Sequence, residues 1–111
     1  MEDPFDVPNP LVWGDHAIGV WCEKTFGPAT PAVTVARANQ EMAELIKAVA
    51  GDQPAQVILE EIADVIICLR RLAYQMGGSW YLGSEDHVNR KMQINVKRKW
   101  KLNGDGTAQH E

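Results

Sequence analysis

The sequence predicts an all-α protein of four helices, the middle two folded back on each other as an antiparallel hairpin that carries an acidic site. Three observations predict it. Apolar residues recur at helical spacing in two long runs, first Val35, Ala38, Met42, Leu45, Ile46 and Val49, then Val57, Ile58, Ile62, Val65, Ile66 and Leu69. The runs are separated only by Gly51-Asp52-Gln53-Pro54, in which Gly51 can end one helix, Asp52 can cap the next and Pro54 fits its first turn. Each run carries two acids spaced i, i+3: Glu41 with Glu44, and Glu61 with Asp64. That spacing puts both carboxylates of a pair on one helix face.

The elements follow in order. Residues 1–9, with acids and prolines, read as a flexible lead-in to a helical domain spanning 10–101. Asn9 and Pro10 offer a capped start for a first helix over about 10 to 25, with Leu11, Ile18, Trp21 and Cys22 on one side. Thr25-Phe26-Gly27-Pro28 ends it. Trp13, His16 and Trp21 are candidates for holding a flat ligand by stacking or hydrogen bonding, with a core or interface role as the alternative for Trp21. Thr30 and Pro31 start the second helix, which runs to about residue 50. The third spans about 53 to 76 and is closed by Gly77-Gly78, with Arg70 and Arg71 on its polar face. Lys47 is a natural partner for Glu44 on the second helix. Trp80, Tyr81 and Leu82 fall in the connection to a fourth helix over about 85 to 101, capped by Ser84. The tail, 102–111, is polar and glycine-rich, and is expected to be flexible unless a ligand or a neighbouring subunit orders it.

The hairpin register can be worked out from residue numbers. Glu44 and Glu61 are centred on the same point of the turn as Glu41 and Asp64, so each pair lies level across an antiparallel hairpin. Four carboxylates would converge about 13 to 17 Å from the turn. Such a cluster beside apolar residues repels itself and loses hydration, and a cation relieves both costs. Oxygen ligands without Cys or His suit Mg2+, with Mn2+ as a substitute. One pair alone would carry no weight in a chain with 15 acids, since Asp3 and Asp6 form another; two pairs in register on consecutive amphipathic helices do.

Charge and composition narrow the function. The net charge of −4 is unevenly spread, with −8 over residues 1–89, +6 over 90–101 and −2 over the rest. The acidic body argues against binding long nucleic acid. The basic segment suits a small polyanion. Within it Lys91, Asn95 and Arg98 recur at i, i+4, i+7, an ammonium, an amide and a guanidinium on one stripe. No apolar run reaches the ~20 residues that span a bilayer, and no basic stretch followed by an apolar one opens the chain, so a cytoplasmic, membrane-free protein is expected. Cys22 and Cys68 form no CxxC, and His16, His87 and His110 have no ligand spacing.

Two segments resemble a known family. Glu41-Met42-Ala43-Glu44-Leu45 followed by Glu60-Glu61-Ile62-Ala63-Asp64-Val65-Ile66 resembles the ExxE…ExxD signature of the MazG-like, all-α nucleoside triphosphate pyrophosphohydrolases. Lys91-Met92, Asn95 and Arg98-Lys99-Trp100 resemble that superfamily's basic fourth-helix element, and the likeness covers roughly residues 11–101. One departure is Gln40, where many members carry a further acid.

The resemblance implies a MazG-like four-helix protomer, a homodimer or homotetramer, and Mg2+-dependent cleavage of a nucleoside triphosphate into monophosphate and pyrophosphate. Glu41, Glu44, Glu61 and Asp64 would be the metal ligands and Lys91, Asn95 and Arg98 the phosphate ligands. Glu61, or the adjacent Glu60 as a further ligand or base, would help activate water. Thr25-Phe26-Gly27 and the ending with Asp105-Gly106-Thr107 and His110 look like short phage and bacterial members that act on purine deoxynucleotides, including the MazZ type that consumes dGTP. dGTP or dATP is therefore the expected substrate, with dCTP or dUTP, a broad house-cleaning range and phosphoribosyl-ATP as alternatives. Outside the enzyme class, the same acidic patch could belong to a non-catalytic nucleotide- or partner-binding module. A di-iron bundle lacks its Glu-x-x-His pairs here.

Overall fold

A computed structural model describes residues 12–77 and 84–111 of the chain. It contains four helices, α1 (Asp15–Phe26), α2 (Pro31–Ala50), α3 (Ala55–Gln75) and α4 (Ser84–Lys97), followed by two short strands, β1 (Trp100–Leu102) and β2 (Ala108–His110). No helix among the described residues is long and apolar enough to cross a membrane.

Helices α2 and α3 pack along each other as the predicted hairpin, and α1 lies against α3. Thr30 caps α2 as its sequence suggests: its hydroxyl accepts the Val33 N–H at 3.2 Å, and Pro31 occupies the first turn. The far end departs from expectation. Gly51 keeps a negative φ of −86°, and it is Asp52 that takes the left-handed conformation, φ +52°. The chain thus closes α2 through the Asp52 and Gln53 amides, which donate to the Val49 and Ala48 carbonyls. Asp tolerates this region better than most residues. Asp52 consequently does not cap α3, which starts from Pro54 with no side-chain cap.

Helix α1 begins at Asp15, later than expected, because Val12 to Gly14 are not helical and Gly14 is the extended residue before the first turn. Asn9, Pro10 and Leu11 lie outside the described residues, as do Gly78, Trp80, Tyr81 and Leu82. Ile18 and Cys22 of α1 are buried with Ala38, Ala48 and Val65, while Trp21 is 40% exposed. The close approach of α1 to α3 depends on Gly19, where a Cβ would fall within the ring and stem of Tyr74.

The fourth helix corrects the bundle expectation. It contains no buried residue and is not packed along α2 or α3, so the described residues form three packed helices plus α4 attached at its start. The chain is accordingly long, 58 × 35 × 28 Å, with a radius of gyration of 16.8 Å. A compact chain of this length would have about 13 Å. Val88, Met92 and Val96, at i, i+4, i+8 on α4, are all more than half exposed.

The tail is also more ordered than its composition suggested. Helix α4 stops at Lys97, and 100–110 form an antiparallel hairpin pairing Trp100 with His110, Lys101 with Gln109 and Leu102 with Ala108. Its turn is built by Gly104 and Gly106, both at positive φ, and by Asp105, whose carboxylate accepts the Thr107 amide at 2.9 Å and the Thr107 hydroxyl at 2.5 Å. Turn chemistry thus outweighs the low apolar content.

Candidate functional site

Glu41 on α2 and Glu61 and Asp64 on α3 converge. Each can place one carboxylate oxygen within 4.8 Å of the others, with Glu41 and Glu61 half-buried and Asp64 exposed. The residue numbers predict that four carboxylates converge; three do. Glu44, one turn closer to the bend, is exposed and is not among the three. No ion pair joins it to Lys47 among the described residues. Glu60 is exposed, and its carboxylate accepts from Gln56 Nε2 at 3.2 Å, the i, i+4 neighbour on its own helix. It therefore does not join the group.

The donor set can be tested against a divalent ion. Octahedral Mg2+ holds oxygens at about 2.0–2.1 Å, which places neighbouring ligands about 2.9 Å apart and opposite ones about 4.2 Å apart. Three oxygens within 4.8 Å are close to that spacing and would have to draw slightly nearer to share one ion. The set is all hard oxygen, as Mg2+ and Mn2+ prefer. Glu41 already has one cationic neighbour: Arg37 Nη2 lies 2.6 Å from its Oε1, while Arg37 Nη1 donates to Gln40 Oε1 at 3.0 Å. Gln40 thus helps fix the Arg37 guanidinium beside the cluster.

Glu41 and Asp64 also line a cleft of about 580 Å3 between α1, α2 and α3. Its walls are Trp21, Phe26, Val33 and Ile67, with Cys22 and Cys68 deeper in the packing and two guanidinium groups, Arg37 and Arg71. Trp21 meets Phe26 edge to face, ring centres 5.2 Å apart. Arg71, expected on a solvated face, instead turns inward. Its Nη2 donates to the Gly27 carbonyl at 2.8 Å and lies 3.6 Å from Glu23, tying the end of α1 to α3. Burial pushes the Cys22 and Cys68 thiols up from their ordinary pKa, and for Cys68 the nearby Glu41 carboxylate adds to the effect.

The remaining sequence candidates divide. Trp21 lines the cleft; Trp13 and His16 do not, and the His16 ring packs edge-on to Tyr74 at 5.6 Å. Lys91, Asn95 and Arg98 do not line it either. Arg98 Nη1 lies 2.8 Å from His110 Nε2, and Trp100 Nε1 donates to the Asn95 carbonyl at 2.9 Å, so the C-terminal hairpin folds against the end of the stripe. The Asn95 side-chain oxygen is buried without a partner among the described residues.

Sequence reasoning missed Arg37, Phe26 and the inward role of Arg71. Arg37 was findable, since it stands four residues before Glu41, the spacing of a helical ion pair. Comparison of the chain with protein-family models, with curated proteins and with solved structures finds no match.

Proposed function

We propose that this chain is a Mg2+-dependent nucleoside triphosphate pyrophosphohydrolase that releases the monophosphate and pyrophosphate. One observation carries the reading: of three carboxylates within 4.8 Å of one another, two, Glu41 and Asp64, line an apolar, aromatic-walled cleft that also holds two arginines. Acid cluster, flat apolar walls and guanidinium groups match the metal-bound phosphates, the base and the anionic charge of one nucleotide. A cleft of 580 Å3 is within the usual range for a small-molecule site.

In this reading Glu41, Glu61 and Asp64 would hold Mg2+, or Mn2+ in its place, and Glu44 stands outside the group. The bound ion would supply Lewis-acid polarisation of the phosphates and a lowered pKa for water. Glu61, half-buried and within reach of the other two carboxylates, is the residue that the resemblance assigns to help activate the attacking water. Arg37 and Arg71 offset charge on the phosphates, and Trp21 with Phe26 offers the base a wall to stack on. Purine deoxynucleotides remain the preferred substrates on the resemblance, with dCTP, dUTP or a broad range next.

Lys91, Asn95 and Arg98 complete the site as phosphate ligands only if α4 swings in or is supplied by a second copy. The exposed apolar residues of α4 favour a homodimer or homotetramer. A second reading, a nucleotide-binding module without turnover, draws on the absence of that stripe from the cleft lining. Incubation with Mg2+ and each common NTP and dNTP, resolving nucleotide and phosphate products, separates the two. Monophosphate with pyrophosphate supports the enzyme. Nucleotide bound but unchanged supports the module.

A further inference from the structure

The most deeply buried charged side chain among the described residues has no part in the cleft. Asp15, the first residue of α1, is 3% exposed. Its Oδ2 accepts the backbone N–H of Ser84 at 2.5 Å and its Oδ1 accepts the Ser84 hydroxyl at 2.9 Å. Arg70 of α3 places Nη1 3.4 Å from the same Oδ1 and pairs through Nη2 with Glu85. Three helices therefore meet at one carboxylate, and Ser84 is the first residue of α4.

The chemistry is that of a helix cap provided from elsewhere in the fold. The first amides of a helix lack intrahelical partners, and a carboxylate satisfies them while opposing the positive end of the helix dipole. Here the cap comes from a residue 69 positions earlier. A buried carboxylate is stable only when its oxygens are hydrogen-bonded and its charge is matched, and Ser84 and Arg70 do both. Since α4 has no buried residue and is not packed along α2 or α3, this junction is the main polar hold of the helical body on it among the described residues.

We propose that Asp15 is a positioning residue: by capping α4, with Arg70 as the counter-charge, it sets the direction in which the Lys91–Asn95–Arg98 stripe leaves the body of the protein. The catalytic consequence rests on the pyrophosphohydrolase reading; the latch itself does not. Removing Asp15 then frees α4 at its root without disturbing the α2–α3 hairpin that carries the acids.

The test compares the whole chain with Asp15→Ala, Asp15→Asn and Ser84→Ala by amide hydrogen exchange, alongside steady-state kinetics on whichever nucleotide the wild type turns over. Asp15→Ala should speed exchange in α4 roughly five- to thirtyfold while the α2 and α3 amides keep their protection. Asparagine, which can still accept an amide N–H, should restore much of it. In kinetics KM should rise about tenfold with a smaller change in kcat, because substrate phosphates lose a fixed partner while the acid cluster stays intact. Equal exchange in α4 for wild type and Asp15→Ala would overturn the proposal, as would loss spread evenly over all helices. Should Asp15→Ala fail to fold, Ser84→Ala decides, since faster exchange confined to α4 supports the latch and unchanged exchange refutes it. A wild type that hydrolyses no nucleotide would sink the enzyme reading and leave the exchange result to decide the latch.

Discussion

Replacing Glu61 by glutamine should act with opposite sign on the metal-free and the metal-loaded protein. Glu61 faces two other carboxylates, each with an oxygen within 4.8 Å. Like charges at that separation repel by about 0.9 kcal/mol in water and by about 3.5 kcal/mol at an effective dielectric of 20. Asp64 is exposed and Glu41 is partly neutralised by Arg37 at 2.6 Å, so the lower figure governs. Glutamine keeps the size and hydrogen-bonding capacity of the side chain, and the metal-free fold should gain about 1 kcal/mol, or roughly 4 °C in Tm for a domain of this size. Mg2+ should do the reverse. For a site of millimolar affinity, 10 mM Mg2+ stabilises the wild type by about 1.4 kcal/mol, and the variant, short of a ligand, by little. Thermal unfolding in low salt, with EDTA and then with Mg2+, measures both. A variant less stable than wild type in EDTA, or one that gains as much from Mg2+, would refute the reasoning.

Three further outcomes follow from the packing and the titrating groups. Gly19→Ala should cost about 1–3 kcal/mol, since the added methyl must displace Tyr74 where α1 meets α3, and a urea midpoint equal to wild type would contradict this contact. Cys22 and Cys68 should alkylate with iodoacetamide more slowly than a free thiol at pH 8, with rates still rising past pH 9, because burial raises both thiol pKa values above 9.0; a plateau below that pH would be inconsistent with their burial. Asp105, whose carboxyl is held below its ordinary value of 3.8 by the Thr107 hydroxyl and amide, supports the C-terminal turn above that pH, and the support is lost as pH falls through the lower folded value. The amide signal of residue 107 should therefore titrate with a midpoint under 3.8, and the midpoint should rise toward 3.8 in Thr107→Val, which loses the hydroxyl and keeps the amide.

The hairpin was legible because apolar residues recur with a period of 3.6 in both helices, although of those runs the fold buries Ala38 and Val65 and leaves Val35, Met42, Ile46, Val49, Ile66 and Leu69 exposed. The level of Glu41 against Asp64 followed from the same regularity and a short turn. The start of α1 was less legible, because Asn9-Pro10 is a sound local signal while Asp15, the first helical residue, serves contacts with Ser84, 69 residues away. Arg70 and Arg71 looked like a solvated pair for the same reason: their partners, Asp15 and the Gly27 carbonyl, are distant in sequence. The strands at 100–102 and 108–110 left a local trace in Asn103-Gly104-Asp105-Gly106-Thr107, whose two glycines and Asx-type hydrogen bonds specify a turn that composition alone conceals. The cleft was the least legible feature, since it joins Trp21 and Phe26 of α1 to Arg37, Glu41 and Asp64 of the hairpin and exists only once the three helices are packed.

The most direct test of the central claim is hydrolysis in water enriched in 18O, with Mg2+ and a set of nucleoside triphosphates, read by 31P NMR and mass spectrometry. The account predicts monophosphate and pyrophosphate as the only products, formed by the wild type and not by Glu61→Gln or Asp64→Asn, which should still show a helical circular dichroism spectrum. Release of orthophosphate and diphosphate would contradict cleavage between the α and β phosphates. Full activity in either variant would contradict a catalytic role for the carboxylates at the cleft.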